Sequence, residues 1–241
     1  MKKRLDQAVQ DQFPALSRTQ IQSLIMQGKV TVDGQIQTKP GVQVSEHQAI
    51  HVDWQEPRFV SRAGFKLQKA LEYFDITVHN LVALDAGLST GGFTDCLLQA
   101  GAQRVYGVDV GYGQVHEKIR NDARVVVMER INVRHLQPLP ELVDIVTLDL
   151  SFISVLKVLP AVIANMKPGA KLIVLIKPQF EAQKEQVGPG GIIKDPRIHE
   201  QVIETVTSGI KEQGFTLIGI TESPIEGTMG NKEFLAYFIK N

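Results

Sequence analysis

Four apolar runs in the second part of the chain each end on a charge: Leu81–Leu84 on Asp85, Val105–Val108 on Asp109, Ile145–Leu148 on Asp149 and Leu172–Ile176 on Lys177. Ligands of open α/β sheets bind beyond the carboxyl ends of the strands. If these runs are strands, three carboxylates and a lysine share one rim. After Asp85 comes a glycine-rich turn, Gly87, Ser89, Thr90, Gly91, Gly92 and Phe93, opening a predicted helix. Such a turn lets backbone approach a ligand closely and presents free N–H groups to it. Asp109 follows Gly87 by about 20 residues, the interval at which a carboxylate takes ribose hydroxyls. The glycines read GxxxGG rather than GxGxxG, and a carboxylate two residues before the first would repel a pyrophosphate but attract an ammonium. S-adenosylmethionine carries an ammonium, a sulfonium and a ribose diol and no phosphate, so the charges favour it over NAD. Asn132 is placed to hydrogen-bond an adenine edge, with a turn-forming asparagine as the alternative.

The elements that must hold these residues alternate. Strands are expected at the four runs above and at Val125–Met128, Leu217–Thr221 and Phe234–Ile239. Helices are expected at Arg62–Tyr73, Gly92–Gln99, Val155–Asn165 and Pro196–Gln213. Nearly continuous apolar strands alternating with helices indicate a mostly parallel sheet covered on both faces. The last two strands are close enough to form an antiparallel pair. Residues 1–56 have another texture, short and glutamine-rich. A helical pattern of Leu5, Val9 and Phe13 stops at Pro14, and Ser17 reads as the N-cap of a helix carrying Ile21, Leu24 and Ile25, with Gly28 after its end. Val30–Val32 and Gln35–Gln37 flank Asp33-Gly34, a hairpin signal, and Ala49–Val52 closes the module. The division is therefore 1–56, a linker at 57–60, and 61–241.

Six tracts, Val60–Leu67, Leu84–Asp95, Val108–Gln114, Leu148–Ser154, Ile176–Glu181 and Gly230–Phe234, together resemble the TlyA family, also labelled hemolysin A-like. That resemblance implies a class I, Rossmann-like methyltransferase domain of the FtsJ type, with a seven-stranded sheet, acting on ribose 2′-hydroxyls of ribosomal RNA. It implies cytidine targets, the large subunit favoured and the small subunit the alternative. The family's Lys-Asp-Lys-Glu tetrad falls on Lys66, Asp149, Lys177 and Glu233. Arg4–Asp6, Ser17-Arg18, Gly28–Gly34 and Lys39–Val44 resemble the S4 RNA-binding fold, implying a small N-terminal α+β domain with Arg4, Arg18, Lys29 and Lys39 on its RNA face.

Methyl transfer to a ribose hydroxyl requires alignment with the sulfonium methyl and removal of the hydroxyl proton, or stabilisation of the charge that develops. Lys177 is the best-placed base, with Lys66 a second positive charge, Asp149 orienting Lys177 beside the methyl donor, and Glu233 positioning Lys66. Burial and a second ammonium lower a lysine pKa while carboxylates raise it, which leaves general base and electrostatic positioner both open. Arg58, Arg62 and Lys69 line up with Lys66 near the start of the second region and read as a phosphate track. The glycine-rich stretch Gln179–Asp195 reads as a mobile lid, with Phe180 either stacking on a base or anchoring the loop. Cys96 reads as core.

Of the 241 residues, 43% are hydrophobic and 22% charged, and 26 basic side chains balance 26 acidic ones. This is globular composition, which excludes disordered and collagen-like classes. A single cysteine excludes an internal disulfide and multi-cysteine zinc sites, and no metal site is expected. There is no secretory signal and no apolar run of membrane-spanning length, so a cytoplasmic location is expected, with neither membrane nor DNA as partner. A membrane-active cytolysin and a non-catalytic RNA-binding protein are the competing readings. The neutral sum hides an asymmetry: residues 1–70 hold ten basic and six acidic side chains, and the remainder reverses that balance.

Overall fold

The computed structural model describes residues 2–55 and 57–241. Met1 and Glu56, the first and last residues of the expected N-terminal module, lie outside the described residues, as does the side chain of Thr228. The chain divides into Met1–Pro57 and Arg58–Asn241.

In the first unit, α1 (Leu5–Gln12) and α2 (Arg18–Met26) pack their apolar faces on a three-stranded antiparallel sheet. In that sheet β2 (Val30–Val32) lies between β3 (Gln35–Gln37) and β5 (Ile50–Val52). Ser17 caps α2 in a reciprocal box with Gln20. Asp33 and Gly34 both take positive φ, 53° and 79°, as the tight hairpin turn requires. Leu5, Val9, Ile21, Ile25, Val30 and Val44 form the core. Two strands were not expected: β1 (Lys2–Arg4) and β4 (Gln43–Ser45), which pair antiparallel. Each is three residues long, and mostly polar side chains hide their alternation.

The second unit is a seven-stranded sheet. Its strands are β6 (Val82–Ala86), β7 (Arg104–Val108), β8 (Val125–Met128), β9 (Val143–Leu148), β10 (Met166–Ile176), β11 (Phe215–Glu222) and β12 (Phe234–Lys240), in the spatial order β11-β12-β10-β9-β6-β7-β8. Only β12 runs against its neighbours. Side chains alternate between two cores. Leu84, Val146 and Val174 face α6 (Val155–Ile163) and α8 (Pro196–Glu212), whereas Ala83, Ile145 and Ile173 face α3 (Ala63–Tyr73) and α4 (Gly92–Gln99). Two short helices, α5 (Glu117–Arg120) and α7 (Pro178–Glu181), complete the unit; each is too brief for periodicity to reveal. The chain starts at β6, winds out to β8, then returns to β9 on the other side of β6. That reversal opens a crevice at the carboxyl ends of β6 and β9.

Two expectations need correction. Asp85 does not end its strand: β6 continues through Ala86, and the Asp85 side chain is wholly buried. The stretch Gln179–Asp195 is not a free lid. It begins in α7, and the buried Asn231 side chain holds it by accepting the Ile193 N–H at 3.0 Å and donating to the Gly191 carbonyl at 2.9 Å. His199 Nε2 lies 3.1 Å from the Ile193 carbonyl. Residues 58–60 belong to the second unit, where Phe59 is buried and Asp95 accepts the Val60 N–H.

Candidate active site

The crevice holds a cavity of about 440 Å³, walled by Gly87 and Ser89 after β6, Asp109 and Val110 after β7, Asn132 after β8, and Asp149 to Ile153 after β9. Its walls include two carboxylates and no lysine or arginine. Gly87 has φ 97°, and a Cβ there would overlap the Asp149 carbonyl, so only glycine lets the β6 turn pass so close to β9. Asp109 is fixed by its own loop: Oδ2 accepts the Ser89 N–H and Oδ1 the Gly111 N–H, each at 2.7 Å. Asn132 Oδ1 accepts the Arg134 N–H at 3.0 Å, committing the oxygen.

The rest of the glycine-rich turn serves packing. Gly91 is left-handed and a Cβ would press on Ile119; a Cβ on Gly92 would overlap Ser61. Phe93 is core, and the Thr90 carbonyl accepts the His116 N–H. Asp85 is not among the cavity walls; wholly buried, it accepts hydroxyls from Thr94 at 2.7 Å and Thr147 at 2.9 Å. Burial pushes its carboxyl up to about 6; the two hydroxyls oppose that shift and the Asp149 charge adds to it.

Beside the cavity the strand register collects the remaining charges. Leu148 of β9 pairs with Val174 of β10, and Ile176 pairs with Phe234 of β12. One step on, Asp149, Lys177 and Glu233 stand at the same rim of three adjacent strands. Lys177 Nζ donates to Asp149 Oδ1 at 2.6 Å and Ser151 Oγ at 3.0 Å. From α3, Lys66 Nζ reaches Glu233 Oε2 at 2.5 Å, with the Glu233 side chain only 3% exposed. Phe152 projects from the same rim, 89% exposed and at φ 65°, its ring 4.9 Å from that of Phe180.

A family profile described as FtsJ-like methyltransferase matches residues 59–240, and one for the S4 domain matches residues 3–50. The chain belongs to the FtsJ-like methyltransferase family. It is 45% identical to a Mycobacterium tuberculosis protein named 16S/23S rRNA (cytidine-2′-O)-methyltransferase TlyA, over 92% of this chain and 84% of that one. It is 41% identical to Hemolysin A of Brachyspira hyodysenteriae, over 98% and 99% respectively. Among solved structures, a candidate hemolysin of Streptococcus thermophilus superposes with a TM-score of 0.77 at 40% identity, covering 100% of this chain and 89% of that one.

FtsJ-like methyltransferases draw their methyl group from S-adenosylmethionine, and the cavity suits that molecule. Two acids, Asp109 and Asp149, and no base among its walls match a cationic ligand without phosphates. The walls also include Gln114, Ile131, Leu150, Ser151, Phe152 and Ile153, which the sequence reading did not single out. Leu150 to Ile153 lie inside a quoted tract, so their signal was position after Asp149.

The basic residues expected to meet RNA are mostly exposed. In the S4 unit, Arg4 forks onto the buried Asp6 through Nε and Nη2, each at 2.9 Å, and Arg18 Nη2 lies 3.7 Å from the same carboxylate. These contacts pull the Asp6 carboxyl down to about 2 against its burial. Lys29 pairs with Asp53 at 3.1 Å, and Lys39 is exposed. In the FtsJ-like unit, Arg58 lies over Phe59, Arg62 is exposed and Lys69 sits 5.0 Å from the Tyr73 ring centre. Lys66 turns away from that track to Glu233. Among the described residues no helix is long and apolar enough to cross a membrane.

Proposed function

We propose that this protein transfers a methyl group from S-adenosylmethionine to the 2′-hydroxyl of a cytidine ribose in ribosomal RNA, in the cytoplasm. The observation that carries this reading is the convergence of two lysine–carboxylate pairs, Lys66–Glu233 and Lys177–Asp149, on one rim beside an acidic cavity. The relatives' names support the base and the subunit. The Mycobacterium tuberculosis protein is named for 16S and 23S rRNA, and a Campylobacter jejuni relative, 33% identical over 76% of this chain, for 23S alone. The large subunit, common to both names, is the first substrate to test.

Asp109 would take the ribose hydroxyls of the cofactor, Asn132 its adenine, and Asp149 the cationic end. Bound there, the cofactor supplies an electrophilic methyl. The remaining chemistry belongs to the protein. A neutral amine has two N–H donors and one lone pair. With Lys177 donating to Asp149 and Ser151, loss of the third ammonium proton to solvent would leave a lone pair along the remaining tetrahedral direction at Nζ, and that lone pair would accept the 2′-hydroxyl proton. The oxygen then bonds to the methyl carbon as that carbon's bond to sulfur breaks, and the proton resides on Lys177. Lys66, held by Glu233, adds positive charge to steady the oxygen. Phe152 offers an exposed ring on which the base of an unstacked nucleotide can lie, and Arg4, Arg18, Lys29, Lys39, Arg58, Arg62 and Lys69 hold phosphates.

The test is transfer of tritiated methyl to ribosomal subunits from a strain lacking the gene. The expected result is one labelled cytidine whose 3′ phosphodiester resists alkali, with no label when Lys177→Ala replaces the native protein. Label on a base, or no label with the native protein, would refute the reading, and undiminished label with Lys177→Ala would refute the role given to Lys177. Dye release from liposomes by both proteins would instead support the cytolysin reading.

A further inference from the structure

Two sequence tracts end in residues that methyl transfer leaves unused: Ser154, closing Leu148–Ser154, and Glu181, closing Ile176–Glu181. In the structure these ends meet. Glu181 Oε1 accepts the Val155 N–H at 2.8 Å, and the Ser154 hydroxyl beside it works against the rise that burial imposes on the carboxyl. Ser154 occupies the N-cap of α6, from which a serine oxygen ordinarily accepts a first-turn N–H. Here that hydroxyl caps nothing, and a carboxylate from another loop supplies the cap.

The two loops leave neighbouring parallel strands, β9 and β10. Three ties join them: Lys177 to Asp149 at the strand ends, the Phe152 and Phe180 rings at 4.9 Å, and Glu181 on the start of α6. Between the first tie and the last lie Leu150, Ser151, Phe152 and Ile153, all walls of the cavity. Phe152 is held left-handed at φ 65°. A phenylalanine stays there only where its surroundings over-determine the backbone, and the clasp at Ser154–Val155 fixes the far end of that segment. The clasp is maintained although burial raises the Glu181 carboxyl above its usual range.

We propose that Glu181 is a positioning residue for methyl transfer: by clasping Val155 at the start of α6 it sets the spacing of the two loops, and so where Lys177 Nζ and the Phe152 ring stand against the cofactor cavity. This inference rests on the methyl-transfer reading above. Misplacement by about 1 Å is enough to cost roughly a hundredfold in rate, so the clasp bears on kcat without touching a reactant.

The experiment compares Glu181→Ala, Glu181→Gln, Ser154→Ala and Lys177→Ala in the full chain. Ribosomal subunits are the acceptor, and active sites are counted by S-adenosylhomocysteine binding. Glu181→Ala is expected to lower kcat per site by roughly tenfold to a hundredfold, more than it raises KM for RNA. Glu181→Gln, whose amide oxygen still accepts the Val155 N–H, is expected to recover most of that loss. Ser154→Ala keeps the backbone cap and is expected to fold normally with a smaller fall in kcat. A Glu181→Ala protein with wild-type kcat per site, even with lowered thermal stability, overturns the proposal, as does a glutamine variant no better than alanine. A native protein that transfers no methyl to the subunits would overturn the methyl-transfer reading itself, and an active Lys177→Ala only the role given to Lys177; a fully active Glu181→Ala beside an inactive Lys177→Ala overturns the positioning role alone.

Discussion

Lys66 and Glu233 lie 167 residues apart in sequence and 2.5 Å apart in space, and the strand register puts Glu233 one step past the Ile176–Phe234 pair, opposite Lys177. A helix and the antiparallel strand thereby bring a second lysine to the rim that already holds Lys177 and Asp149.

The two lysines have different tasks, and arginine separates them. Arginine supplies positive charge but does not accept a proton at accessible pH. Lys177→Arg is therefore expected to be as inactive as Lys177→Ala, a loss of roughly 10²- to 10⁴-fold in kcat. Lys66→Arg should keep a measurable fraction of activity, because its charge and its partner Glu233 remain. Single-turnover methylation, alongside S-adenosylhomocysteine affinity near the native value, checks both. Comparable activity in the two arginine variants would remove the distinction between the two lysines.

The seven strands were legible because long apolar runs bounded by polar turns have few other uses, and their ends located Asp109, Asp149 and Lys177. The same logic misplaced Asp85. An apolar run marks where burial begins to fail, but a carboxylate between two threonine hydroxyls can stay inside, and one of them, on Thr147, comes from 62 residues away. Spacing could not pair Lys66 with Glu233, since that contact depends on β12 entering between β10 and β11. Phe152, Ser151 and Gln114 escaped because cavity walls made by loops have no period; the left-handed backbone of Phe152 leaves no trace in residue type.

Asp85 makes stability depend on pH. Its folded carboxyl is raised from 3.8 to about 6, so the folded state binds the proton more tightly than the unfolded chain. The stabilisation this gives is complete below about pH 4 and is lost as pH rises to about 6. Relative to Asp85→Asn, the native protein should therefore lose on the order of 3 kcal/mol across that interval and nothing further above it. Urea unfolding of the catalytic unit from pH 4 to 8 measures the difference. A difference independent of pH would mean that Asp85 remains charged throughout.

Phe152 should matter to RNA and little to stability. Its ring is 89% exposed and its backbone strained at φ 65°, so Phe152→Ala removes little buried surface. Stacking on a base contributes about 1–3 kcal/mol, so KM for the RNA should rise roughly tenfold to a hundredfold while S-adenosylhomocysteine affinity changes little. Phe152→Trp, which keeps a stacking face, should hold KM near the native value. Equal KM for the alanine and tryptophan variants would remove the ring from substrate binding.

Asp6 sets two effects against each other in the S4 unit. Asp6→Asn adds net positive charge, which favours a polyanion, but it releases the fork that fixes Arg4 and the longer contact to Arg18. A freed arginine must give up about 2 kcal/mol of rotamer freedom on binding a phosphate, more than one screened surface charge returns at physiological salt. The expected outcome is weaker RNA binding by roughly tenfold at physiological salt, with the gap narrowing as salt is lowered and the added charge counts for more. Filter binding across a salt series checks this, and tighter binding by Asp6→Asn at every salt would show that charge prevails over order. The same carboxylate gives an acid signature: its folded value is about 2 against 3.8, so its stabilisation is complete above about pH 4 and lost as pH falls through 2. Thermal unfolding of native and Asp6→Asn chains should therefore converge towards pH 2, below the interval governed by Asp85.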